Sequence, residues 1–438
     1  MYPRIRSSVG YPPESSRRLR GTSPCRHSPC TRMCKIKLTH TLSVVIPAFN
    51  EEDGICAVIE RVLSTREKLA AMDWGLELIV VDDGSRDRTA PCVANYRDVQ
   101  LINHVTNRGY GAAIKTGFKH ASGDYLAFLD ADGTYPPESF PDLCGAAVAQ
   151  QADVVIGSRM SGTRSEMPLT RRVGNLAYAT LLSLIGNTVV RDTTSGMRMV
   201  RRTALEQLYP LPDGLDFTPA MSTRAIHENL KTIEVPICYA ERVGRSKLSV
   251  VRDGVRFTNT IIWTAMTYNP VRILGLISLA LLAVPFVVGL YLAVLRAQGV
   301  TTLNAWQVYA LFGAAVCGFA GISLFSLGAM FNYLVALFDK HPVRRGLFGK
   351  PIFDPPLDRH FGWMGIVSTL GGVALSIGAL VLGLNGWEIT RLWLYLLASA
   401  LLMMIGIQLT IAWLVMRVLE QLAQREVTTQ HDLEDAVP

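Results

Sequence analysis

The chain has 438 residues, 49% of them hydrophobic and 18% charged, and a formal net charge of +7. That length exceeds one ordinary domain. The basic balance does not mark a nucleic-acid binder, because residues 1–38 alone hold nine Lys or Arg against one acid, Glu14, more than the whole net excess.

In chain order, that tail is rich in Arg, Ser and Pro, has no apolar periodicity and lacks the apolar core of a secretory signal. It reads as disordered, with Met33 as an alternative start. Cys25, His27, Cys30 and Cys34 have no second cysteine pair at zinc-finger spacing. The remaining cysteines, Cys56, Cys92, Cys144, Cys238 and Cys317, are scattered singly, as in a reducing compartment.

From residue 39 the text changes character, and residues 39–247 read as one α/β domain. A β-branched run ends at Pro47, and a helix is expected at about Glu51–Leu69 with Asn50 as its N-cap. A second strand, Glu77–Val81, ends in Asp82-Asp83-Gly84-Ser85. A third, Gln100–Asn103, precedes Gly109 and Gly111 at a helix start that lacks the third glycine of a dinucleotide fingerprint. Tyr125–Leu129 is apolar throughout and ends in Asp130-Ala131-Asp132.

Strand alternating with helix predicts a mostly parallel sheet covered on both faces. Pro47–Glu51, Asp82–Ser85 and Asp130–Asp132 then converge on the sheet edge where such folds bind ligands. Two carboxylates one residue apart suit a hard divalent cation that also takes phosphate oxygens and water. The plainer alternative is an Asp-Gly turn with solvated acids.

Further along, Asp153–Gly157 is a strand ending in Ser158-Arg159. Leu169–Gly186, with Arg171 and Arg172 near its start, fits a packed core helix and an interfacial helix equally well. Asp192 to Arg198, a strand at Glu234–Ile237, and Arg242, Arg245 and Lys247 follow. Residues 248–270 read as an amphipathic helix lying on a membrane. Four uncharged runs, 273–295, 306–338, 361–384 and 392–416, are each long enough to span a bilayer, and 419–438 is left as a tail.

The connection at 338–361 carries Lys340, Arg344, Arg345, Lys350 and Arg359, whereas those at 296–305 and 385–391 carry one Arg each. The positive-inside rule therefore puts the α/β domain, that loop and the C-terminus on the cytoplasmic side, at the plasma membrane if the cell is bacterial. Gly313, Gly318, Gly321 and Gly328 in the second run allow close helix packing, within the bundle or in a homo-oligomer.

The segments SVVIPAFNEE, VVDDGSRDRT, NRGYGAAIKTGF, YLAFLDADGTYPPE, VVIGSRMSG, TSGMRMVRR and EVPICYAERVGRSKL resemble, in order and wording, family 2 glycosyltransferases of the GT-A fold. They look most like the branch making polyprenyl-phosphate sugars, the dolichyl-phosphate mannose synthase group and its bacterial relatives. The resemblance covers about residues 42–250. It implies a Rossmann-like domain and an inverting transfer of one sugar from a UDP- or GDP-linked donor to undecaprenyl or dolichyl phosphate, with Mg²⁺ or Mn²⁺.

Carried onto this sequence, the resemblance makes Pro47, Phe49, Glu51 and Asp83 nucleotide contacts and gives Asp82 the ribose or base edge. Asp130 and Asp132 take the diphosphate through the metal. Thr134 stands where the mannose synthase group often has a Gln that also contacts metal. Asp132, Asp192, Arg198 and Arg159 are the catalytic candidates. Arg171, Arg172, Arg242 and Lys247 are candidates for the acceptor phosphate, whose dianion suits Arg forks.

An acceptor phosphate is already anionic and needs no strong base. Asp192 is therefore expected to bind sugar hydroxyls or orient Arg198, with a base role second. Two other readings stand beside this one. Transfer to a lipid hydroxyl would require such a base, and a non-catalytic nucleotide-binding membrane scaffold would require no chemistry. No Gln-x-x-Arg-Trp motif of polymer-extruding synthases is present, which favours a single transfer.

Overall fold

The computed structural model describes residues 38–161, 165, 167–186, 188–240, 249–300, 303–339, 357–387 and 389–434. The basic tail, Arg242, Arg245, Lys247 and the cations at 340–350 lie outside the described residues. In order, the α/β part comprises β1 (His40–Ala48), α1 (Ile55–Ser64), α2 (Arg66–Ala70), β2 (Trp74–Asp82), α3 (Thr89–Val93), β3 (Val99–Asn103), α4 (Tyr110–His120), β4 (Tyr125–Leu129), α5 (Phe140–Ala149), β5 (Val154–Ser158), α6 (Leu169–Gly186), β6 (Met197–Arg201), α7 (Leu205–Leu208), α8 (Phe217–His227) and β7 (Thr232–Pro236). It continues into α9 (Val250–Met266), α10 (Pro270–Ala297), α11 (Ala305–Asp339), α12 (Leu357–Leu384) and α13 (Ile389–Glu434).

The sheet has seven strands in the order β3-β2-β1-β4-β6-β5-β7. All pairings are parallel except those of β6, which runs antiparallel to β4 and β5. Successive side chains of a strand point to opposite faces, and β1 divides accordingly. Leu42, Val44 and Ile46 join Ile59 of α1 and Phe140 of α5 in one core, while Val45 joins Ile114 of α4 and Phe217 of α8 in the other. Helices on both faces leave the strand ends as the open edge.

Several expected boundaries move. The single helix at 51–69 is two, separated at Thr65, whose hydroxyl donates to Val62 O at 2.7 Å. Asn50 is not its N-cap: Gly54 is, and Asn50 adopts φ 51° while its side chain accepts the Arg86 amide hydrogen across the sheet edge. The cysteine reading also changes. Cys56 and Cys92 are not isolated from one another: α1 and α3 pack side by side behind β1 and β2 and bring their Cα atoms to 6.4 Å.

Among the described residues, four helices are long and apolar enough to cross a membrane: Pro270–Ala297, Ala305–Val335, Leu357–Leu384 and Leu392–Leu422. The anticipated glycines serve unequally. Side chains at Gly321 and Gly328 would press on Leu282 and Leu274 of α10, whereas nothing lies within 4 Å of one at Gly313. The tightest helix contacts are instead between α12 and α13, at Gly362, Gly365, Gly372 and Gly406. α13 runs without a break to Glu434, so helix continues where a tail was expected.

α6 has the expected bounds and a divided surface. Ala179, Leu182 and Ile185 are buried, the last two against Ile261 and Ala265 of α9, while Leu169, Val173, Leu176 and Leu184 are exposed. The helix is therefore packed on one face and leaves an apolar outer face exposed, a division that a wholly buried core helix does not show. Arg272 at the start of α10 donates to Leu184 O, tying the end of α6 to the first span.

Candidate active site

The strand-end loops meet as the alternation required. Asp83 N donates to Ala48 O at 2.8 Å, and the β1 and β2 loops exchange further bonds, Asn50 N to Ser85 Oγ and Glu51 N to Thr89 Oγ1, both 2.9 Å. Asp82 accepts from Ser85 N at 3.3 Å. Asp83 is buried, and its oxygens accept from the Arg108 and Gly109 amides and lie 2.7 Å from His104 Nδ1. It thereby fixes the start of α4.

The next residue in α4 reaches the following strand. Tyr110 donates its hydroxyl to Asp130 Oδ1 at 2.6 Å. Burial, and then the Asp130 charge, push this phenol well above its ordinary value, so it remains the donor. Asp132 is buried and accepts from Thr134 twice, from the hydroxyl at 2.6 Å and from the amide at 3.2 Å. On the other side Asp130 packs against Gly196, where any Cβ would overlap its carboxylate.

Beyond Gly196 lies a buried cluster around Arg159. Gly196 N donates to Tyr135 Oη at 2.7 Å, and the Arg159 guanidinium sits over the rings of Tyr135 and Tyr239, 5.8 and 5.5 Å from their centres. Asp192, fully buried, grips Arg159 with both oxygens: Nε at 2.9 Å, Nη2 at 2.7 Å and the backbone amide at 2.9 Å. Asn175 of α6 holds this loop by accepting from Thr193 and Thr194 and donating to Arg191 O. Glu234 of β7 accepts from the Arg191 and Asp192 amides.

With this geometry in hand, comparison with known proteins is direct. The profile of glycosyl transferase family 2 matches residues 43–209. The chain is 31% identical over 315 residues to the undecaprenyl-phosphate 4-deoxy-4-formamido-L-arabinose transferase of Pseudomonas paraeruginosa, covering 70% of this chain and 88% of that protein. The chain belongs to glycosyl transferase family 2.

This family 2 glycosyltransferase is also 34% identical over 231 residues to the low-salt glycan biosynthesis hexosyltransferase Agl6 of Haloferax volcanii, matching 52% of the chain but only 54% of that relative's length. Residues 270–430 match a domain of unknown function, DUF8752. Among solved structures, glucosyl-3-phosphoglycerate synthase from Mycobacterium tuberculosis, in complex with Mn²⁺, UDP and phosphoglyceric acid, aligns at 22% identity with a TM-score of 0.43, over 52% of this chain and 80% of that one. With its GT-A α/β domain and four apolar helices, this glycosyltransferase is an integral membrane protein.

The glycosyltransferase site departs from several residue-level expectations. Arg198 is fully buried and donates to Ser195 O, Thr193 O and Ser222 Oγ, and burial pushes its guanidinium down to about 10. It braces the loop rather than facing a ligand. Asp192 orients Arg159, not Arg198. Asp83, expected as a nucleotide contact, is engaged by the amides at the α4 start. Arg171 extends to the Tyr239 hydroxyl at 3.4 Å, whereas Arg172 is exposed. Pro47 is buried in β1, and Phe49 and Glu51 are partly exposed beyond it.

Tyr110, Tyr135, Tyr239 and Asn175 were not singled out from the sequence. Three of them lie inside segments that carry the family resemblance, Tyr110 in NRGYGAAIKTGF, Tyr135 in YLAFLDADGTYPPE and Tyr239 in EVPICYAERVGRSKL, while Asn175 is a polar residue in an apolar helix.

The residues present fit a divalent cation. Among the described residues no group of three or more His, Cys, Asp or Glu is assembled. Mg²⁺, however, commonly uses one or two carboxylates and completes its shell with substrate phosphates and water. Asp130 and Asp132 are such a pair.

Proposed function

We propose that this glycosyltransferase moves a single sugar, with inversion, from a UDP- or GDP-linked donor to a polyprenyl phosphate at the cytoplasmic leaflet. The observation that carries the reading is the union in one fold of a carboxylate-lined sheet edge, an adjoining buried Arg159–Asp192 pair and a helix, α6, with an apolar outer face that braces the Asp192 loop through Asn175. The Pseudomonas paraeruginosa relative is an undecaprenyl-phosphate 4-deoxy-4-formamido-L-arabinose transferase, which is consistent with such an acceptor.

In this reading the β1 and β2 loops hold the nucleoside, and Asp130 and Asp132 hold Mg²⁺ or Mn²⁺. The metal, when bound, offsets the charge of the leaving diphosphate. Arg159, kept in place by Asp192 and the two tyrosine rings, faces the acceptor phosphate, with Arg171, Arg172, Arg242 and Lys247 as further cations. A phosphate oxygen forms the bond to the anomeric carbon as the bond from that carbon to the donor diphosphate breaks, and the nucleoside diphosphate leaves with the electron pair.

No proton is transferred in this step. An Asp192 engaged through both oxygens by Arg159 suits that chemistry better than a general-base role. The loop cations favour the cytosolic side for the domain, where nucleotide sugars are at hand. The test is incubation of detergent-purified protein with labelled nucleotide sugars, with and without polyprenyl phosphate and Mn²⁺. Label should enter the organic phase only with both additions and vanish in Asp132→Asn; label that ignores polyprenyl phosphate overturns the acceptor.

A further inference from the structure

We propose that the hydroxyls of Tyr110 and Thr134 are positioning groups that orient Asp130 and Asp132, and thereby set the affinity of the divalent-cation site. The inference rests on the metal reading above and deepens it. Each carboxylate of the Asp-Ala-Asp receives one short hydroxyl hydrogen bond on its Oδ1, 2.6 Å in both cases. The two donors arrive from different places. Thr134 is local, two residues beyond Asp132 and itself buried, whereas Tyr110 comes from the first turn of α4 across the sheet edge.

Thr134 therefore has a job other than that of a metal ligand. Its hydroxyl donates to Asp132, and its amide does the same, so both of its hydrogen-bond donors are turned toward the carboxylate. Tyr110 carries a second consequence through its neighbour. Gly109 N is held by Asp83 Oδ2 at 2.8 Å, and the following residue is the one that grips Asp130. One dipeptide thus joins the nucleotide-side loop to the carboxylate of the metal pair. Groups hydrogen-bonded to metal-ligating carboxylates commonly change metal affinity by about 10- to 100-fold when removed.

The experiment titrates Mn²⁺ into the full-length protein in detergent, with UDP or GDP present, and reads free Mn²⁺ by electron paramagnetic resonance. Wild type, Tyr110→Phe, Thr134→Val and Thr134→Ser are compared, and thermal unfolding confirms that each variant is folded. The half-saturating Mn²⁺ concentration should rise about tenfold in Tyr110→Phe and in Thr134→Val. Thr134→Ser, which restores the hydroxyl, should return to within about twofold of wild type. Folded variants that bind Mn²⁺ as tightly as wild type overturn the inference and leave the metal reading intact. Absence of Mn²⁺ binding by wild type with either nucleotide removes both.

Discussion

Asp192 is where two opposing electrostatic effects meet. Burial pushes its carboxyl up, but the Arg159 charge and hydrogen bonds outweigh burial and hold it below its ordinary value of 3.8. A depressed carboxylate contributes stability that is fully present above that ordinary value and is lost as pH falls through the lower folded one. Between about pH 6 and 8 Asp192 does not titrate, so the kcat/KM profile should show no limb that disappears in Asp192→Asn. That substitution should instead leave Arg159 buried and underpaired, at about 3–5 kcal/mol of stability, read as a fall in unfolding temperature together with activity. A residual Asp192-dependent limb near neutrality would restore the base role.

Gly196 makes a companion case at the same scale. Because a Cβ there overlaps the Asp130 carboxylate, Gly196→Ala should displace Asp130 and reduce kcat/KM by at least about 100-fold while the protein still folds. Steady-state kinetics alongside thermal unfolding check this, and near-wild-type activity would show that Asp130 is not held where it needs to be. Neither residue was legible as a contact. Asp192 and Arg159 lie 33 positions apart, and nothing in local pattern shows which of two arginines a buried carboxylate will choose.

At the scale of elements, α9 and α4 are joined through the segment at 211–217. Arg256 and Thr260 of α9 bind Asp216, at 2.7 and 2.9 Å. The same segment presents Asp213 O to Ala112 N and Leu211 O to Lys115 Nζ. The membrane-side helix is thereby braced against the helix that carries Tyr110. The pairing of Arg256 is not readable from local sequence, since its acidic partner lies 40 residues away.

The bundle offers a separate test of element packing. A side chain at Gly365 would meet Thr410 Oγ1 and the Gly406 carbonyl of α13. Gly365→Val should force the two helices apart at about 1–3 kcal/mol, lowering the unfolding temperature in detergent, whereas Gly371→Val, with nothing within 4 Å, should not. Equal effects at the two sites would contradict the packing.

Across the whole molecule, strand alternation, the three strand-end carboxylate clusters and the four apolar runs were readable because each follows from a periodicity or a run length. Tyr135, Tyr239 and Asn175 were not, since their work is done through tertiary contacts between loops far apart in the chain. Together these parts suit an enzyme that makes a polyprenyl-phosphate sugar, as proposed above. The most direct test is the mass of the lipid formed when purified protein, reconstituted in vesicles containing polyprenyl phosphate, is given the donor it accepts. The account predicts a single product equal to polyprenyl phosphate plus one sugar residue, lost in Asp132→Asn. A glycosylated lipid without a phosphate bridge, or a ladder of several sugars, would contradict it.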